Sequence, residues 1–149
     1  MLLRSGNENI VRICLWVLAL SLLLVGLVSG TLVRHVIQII PIAIVLLADT
    51  KGAKWASFAA LPLFTFWMGI MILIWMFLLG MSRIANGHYT PVEILLTVVM
   101  ALSSIVGIPT SYQSGRRLRV INRIFAFLAF IGLQFIAMWV SFLKPFATR

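Results

Sequence analysis

Acidic residues are nearly missing from this sequence. Glu8, Asp49 and Glu93 face twelve lysines and arginines, and charged residues of both signs fill only 10% of 149 positions. A soluble domain devotes about 25% of its residues to charge, so a water-solvated fold is excluded. Cysteine is scarcer still. Cys14 stands alone, which rules out an intrachain disulfide and a cysteine-based metal site. It falls within an apolar run and reads as a small buried hydrophobe. Long polar stretches are also lacking, which leaves no room for a water-soluble catalytic module. No repeat of the solenoid or two-equal-halves transporter kind stands out.

What fills the sequence instead is hydrophobic surface, 62% of all residues. A membrane helix needs about 20 mostly apolar residues to cross about 30 Å of hydrocarbon. Segments 13–30, 55–81, 92–110 and 124–143 meet or nearly meet that requirement, whereas 31–48 is doubtful, because Arg34 and His35 interrupt it and leave only 36–48 free of charge. Arg34 can keep its stem in lipid while the guanidinium reaches water. The expected fold is an all-α polytopic transmembrane bundle of about five helices, near 10–30, 31–48, 55–81, 91–110 and 120–143. Residues 1–149 are read as a single integral membrane domain. The first segment imitates a secretory signal, but its uncharged run of 18 residues exceeds the roughly 7–15 of a signal's apolar region. It reads as a retained anchor.

Basic residues set the expected orientation. With five crossings and the N-terminus in the cytoplasm, Arg4, Arg12, Lys51, Lys54, Arg116, Arg117, Arg119 and Arg123 fall inside. Arg34, Arg83, Lys144 and Arg149 fall outside, in accord with the positive-inside rule. A bacterial inner (plasma) membrane with the C-terminus external is the expectation. Helix boundaries are also legible. Thr90-Pro91-Val92-Glu93 has the residues of a capping box with proline at the first helical position. Ser5-Gly6-Asn7-Glu8 offers a similar lead-in, Asn86-Gly87 signals a turn, and Pro41 and Pro62 predict kinks. The uncharged stretch 55–82 is 28 residues, about 42 Å as helix, and so should tilt or enter the headgroups.

Candidate chemistry is sparse, and no catalytic, metal or cofactor-binding residue is assigned. His35 and His88 fall on the same expected side, but His88 sits beside a turn, so neither haem nor zinc is expected. Arg34, His35, Arg83, His88 and Glu93, with Tyr89, form a weak outer-face cluster, in which Glu93 is explained as a cap. Asp49 ends the second segment and reads as a solvated interfacial residue. Gln38, Thr65, Thr97, Ser103, Ser104, Gln134 and Ser141 supply the polarity within the apolar segments, suited to bonds between helices. Gly26…Gly30 and Ser103…Gly107 are small-residue steps for close packing. Arg116, Arg117, Arg119 and Arg123 are the sharpest local feature, an orientation signal or a site for anionic headgroups.

These observations fit an accessory or scaffolding membrane protein that binds other membrane proteins, copies of itself, or lipids, anionic phospholipids included. A small oligomeric transporter or channel would have to use Thr97, Ser103, Ser104 and Gln134. A lipid-modifying enzyme at the outer face would rest on Glu93 and the two histidines. No nucleic acid is expected, because the basic residues lie between apolar runs.

Overall fold

The computed structural model of the protein describes residues 6–81 and 89–143. Among them are five helices and no strand: α1 (Gly6–Val28), α2 (Leu32–Thr50), α3 (Ala56–Leu78), α4 (Pro91–Gly115) and α5 (Val120–Ser141). All five are long and apolar enough to cross a membrane, and the chain is an integral membrane protein. The doubtful second segment is one continuous 19-residue helix, about 28 Å long at 1.5 Å per residue.

Local chemistry sets the ends. Three helices stop at a glycine with positive φ: Gly30 (68°), Gly52 (75°) and Gly80 (73°). After each, the next N–H reaches back five residues, as in Met81 N–H to the Met76 carbonyl at 2.8 Å. This pattern consumes the last orphan carbonyls and needs a left-handed residue that only glycine adopts freely. It also stops α3 at Leu78, short of the anticipated 81, so its 23 residues span about 34 Å rather than 42. At the start of α4, the Glu93 carboxylate accepts from Thr90 N–H at 2.7 Å and Thr90 Oγ1 accepts from Glu93 N–H at 3.3 Å. Both halves of the predicted capping box are present.

α4 runs five residues beyond the expected end at 110, straight through Pro109. Proline removes one N–H and crowds the preceding turn. Thr110 Oγ1 donates to the Val106 carbonyl at 2.7 Å, supplying a bond in that loosened turn. In the turn before Pro41, Gln134 Nε2 of α5 donates to the Gln38 carbonyl at 3.2 Å.

α1, α2, α5, α3 and α4 form a closed ring of neighbours, and α3 also touches α1 and α2. α4 and α5 are consecutive but do not pack along each other, because α3 lies between them. The buried core joins Val11, Leu15, Leu18 and Leu22 to Ile42, Val45, Leu63, Phe64, Met71 and Met100. α5 is built the other way round. Its buried residues are Ala126, Gln134, Ala137 and Ser141, while Phe125 and Trp139 are 74% and 68% exposed. Small inner residues let the backbone approach its neighbours, and the bulk faces outward, where lipid tails are as apolar as leucine.

The small-residue steps pack within the chain. Gly26 lies against the His35 side chain, and Gly30 is a helix terminator. A methyl group at Gly107 would meet the Phe64 ring at 2.5 Å, and one at Gly115 would collide with Phe58. Gly69 and Gly132 face open space. Gly107→Ala and Gly115→Ala are therefore expected to destabilise the purified protein by about 1–3 kcal/mol each through overpacking. Gly69→Ala and Gly132→Ala should be neutral or slightly stabilising. Thermal unfolding in detergent decides, and equal behaviour of the two pairs would refute the assigned ring seats.

Candidate functional site

Polar side chains gather at three depths. At the end of the bundle holding the starts of α1, α3 and α5, Arg12 Nε donates to Asp49 Oδ2 at 2.6 Å. The side chains are 31% and 6% exposed, so the carboxylate is enclosed while the guanidinium still reaches outward. This corrects the expectation of a solvated Asp49. The physical reason is depth: Arg12 lies two turns into α1 and Asp49 in the last turn of α2, which brings opposite charges level on antiparallel neighbours. That signal was present in the sequence and was missed. Nearby, Asn7 Nδ2 donates to Gln113 Oε1 at 3.0 Å, tying the start of α1 to the end of α4.

The four arginines separate into two kinds. Arg116, Arg117 and Arg119 are exposed on the turn that carries the chain past α3 from α4 to α5. Arg123 is half-buried, and its Nε donates to the Leu118 carbonyl at 3.2 Å, holding that turn onto the first turn of α5.

In the apolar middle, Gln38 Nε2 donates to Ser141 Oγ at 2.9 Å and contacts Met138 Sδ at 3.2 Å. With the Gln134 bond to the Gln38 carbonyl, this is a polar seam between α2 and α5. Ser103 Oγ donates to the Cys14 carbonyl at 2.8 Å, Ser104 Oγ to the Met100 carbonyl at 2.9 Å, and Trp75 Nε1 to Thr97 Oγ1 at 3.1 Å. Thr65 is exposed and bonds only its own helix, to the Leu61 carbonyl. Gln134 Oε1, Ser111 Oγ and Trp67 Nε1 are buried without a hydrogen-bond partner among the described residues.

At the opposite end, the Arg34 guanidinium lies 3.5 Å from the centre of the Phe142 ring, a cation–π contact across α2 and α5. His35 Nδ1 lies 3.1 Å from Thr31 Oγ1 and 3.0 Å from the Thr31 carbonyl. Arg34 and Glu93 are within electrostatic reach of both His35 and Tyr89. Burial, and secondarily the Glu93 charge, raises the Tyr89 phenol above its ordinary 10.0. Of the cluster expected at the outer face, Arg34, His35 and Glu93 are thus brought together, joined by Tyr89, whereas Arg83 and His88 lie outside the described residues. Glu93 is buried and bonded to its own cap, which orients it toward structure rather than proton transfer. Among the described residues, no three His, Cys, Asp or Glu side chains converge as metal ligands would.

The Arg12–Asp49 pair yields an asymmetric prediction. Removing Arg12 takes from the enclosed carboxylate the guanidinium 2.6 Å away, whereas removing the Asp49 charge leaves a guanidinium that can extend to water. Arg12→Leu should cost about 3 kcal/mol and Asp49→Asn about 1 kcal/mol or less. Unfolding of the two variants in detergent tests this, and a larger loss for Asp49→Asn would overturn it.

The chain matches no protein-family model, no curated protein and no solved structure.

Proposed function

We propose that this protein is a non-enzymatic accessory or scaffolding component of a bacterial inner membrane, with its N-terminus in the cytoplasm. In this reading its exposed helix faces bind other membrane proteins. The observation that carries it is where the intramembrane polarity goes. Gln38, Thr97, Ser103, Ser104, Gln134 and Ser141 all bond partners within the chain. What faces outward along α5 is bulky and apolar instead, including Phe125, Leu128, Phe135, Ile136 and Trp139. Such a surface suits contact with lipid and with the side chains of neighbouring helices.

The transporter reading has less support, since the four residues it would use are buried and bonded rather than lining one stripe. The outer-face enzyme reading gains the approach of Arg34, His35, Tyr89 and Glu93, but Glu93 is held by Thr90. Basic residues at the two ends support the orientation. The end with the starts of α1, α3 and α5 holds Arg12, Lys51, Lys54, Arg116, Arg117, Arg119 and Arg123, against Arg34 among the described residues at the other.

Two measurements test the proposal. A tagged full-length chain, extracted in mild detergent, should retain a membrane protein in fixed stoichiometry. Recovery of the chain alone, together with solute flux through liposomes containing it, would sink the scaffold reading in favour of transport. A reporter active only in the cytoplasm should be silent when fused after Arg149, and strong activity there would overturn the five-crossing orientation.

A further inference from the structure

The basic end of the bundle has an arrangement that an orientation signal does not require. Because α3 separates α4 from α5, the connecting turn must pass over the start of α3. This brings Arg116, Arg117 and Arg119 toward Lys54, the residue just before Trp55 and α3. α3 and α5 run in the same direction, and the edge-on contact of Phe66 with Phe135, centroids 5.1 Å apart, sets their register. At the start of α3, Trp55 packs on Phe130 of α5 with ring centroids 5.6 Å apart, so Lys54 lies beside the first three turns of α5. Arg116, Arg117, Arg119 and Lys54 are all exposed. The acids at this end are Glu8 and Asp49, and Asp49 is engaged by Arg12. Positive charge stays in large excess even with Glu8 engaged as well.

Directly beneath this charge lies exposed hydrocarbon. Ile121, Phe125 and Leu128 are 68%, 74% and 62% exposed and recur at the spacing of one helix face. A cationic crown continuous with an apolar strip matches one ligand chemistry, an anion joined to acyl chains. A soluble polyanion or an acidic protein segment would leave the strip unused.

We propose that this rim is a binding site for an anionic glycerophospholipid. The phosphate sits among Arg116, Arg117, Arg119 and Lys54, and the acyl chains lie along Ile121, Phe125 and Leu128. Arg123 is a positioning residue, since its bond to the Leu118 carbonyl fixes the turn that presents the other three arginines. The site rests on insertion in a bilayer and not on the existence of a protein partner. Its failure therefore leaves the scaffold reading standing, and the reverse also holds.

The test is lipid retention by the purified full-length chain in detergent, read by native mass spectrometry after adding phosphatidylglycerol or phosphatidylcholine. Orientation plays no part in that measurement. Wild type should retain phosphatidylglycerol in preference to phosphatidylcholine. The triple variant R116Q/R117Q/R119Q should lose at least about tenfold, given roughly fivefold per basic residue near a headgroup. The triple lysine variant R116K/R117K/R119K should stay within about threefold of wild type, because headgroup attraction follows charge more than shape. Unchanged retention by the glutamine variant overturns the site, as does absence of a headgroup preference in wild type. Displacement of the lipid by millimolar inorganic phosphate overturns it too, because the site would then be one for free phosphate. If the glutamine variant does not fold, wild type alone decides: retention must fall as salt is raised, and a flat response refutes the proposal.

Discussion

Hydrocarbon offers no hydrogen bonds, so each polar group carried into the bilayer must find its partner in the protein. That constraint organises this bundle. The Ser103 bond to the Cys14 carbonyl ties α4 to α1, the Trp75–Thr97 bond ties α3 to α4, and the Gln38, Gln134 and Ser141 seam ties α5 to α2. Interhelical bonds of this kind contribute only about 0.6–2 kcal/mol each. Their effect on arrangement is larger than their energy suggests, because a wrong neighbour strands the polar group. Apolar packing is nearly indifferent to which helix supplies the methyl groups, whereas a glutamine is not. α5 shows this clearly, since its buried residues are Ala126, Gln134, Ala137 and Ser141.

The sequence revealed the number of helices and several of their ends. Hydrophobic runs report a membrane span almost directly, and Thr90, Pro91 and Glu93 satisfy their backbone through neighbours three residues away, so both signals are local. What stayed hidden lacks such a signal or depends on residues far apart. The five residues by which α4 continues past 110 are 111–115, mostly polar or small and without a hydrophobic signal. Gly107 and Gly115 read as generic small residues until Phe64 and Phe58 of α3 are seated against them. Asp49 looks like an ordinary helix-end acid until Arg12 is set at its depth. In the candidate sites, the residue types were legible and their division of labour was not. Four arginines within eight positions look equivalent, yet Arg123 holds the turn that the others occupy.

The two ends of the bundle handle charge differently. At the end where α2 and α4 begin, an acid folds onto the cap of α4 and Arg34 lies over an aromatic ring, so charge there is drawn inward. At the end where α1, α3 and α5 begin, Arg116, Arg117 and Arg119 are exposed and basic residues spread outward.

The Arg12–Asp49 contact also constrains the order of biogenesis. Its partners are separated by 37 positions, one near the entrance of α1 and the other at the exit of α2. During translation Arg12 is made first and stays unneutralised by this carboxylate until nearly all of α2 has emerged. The contact thus latches a finished helical hairpin. A nascent chain stalled midway through α2 would have an unlatched first helix, with only its own hydrophobicity to keep it in the bilayer.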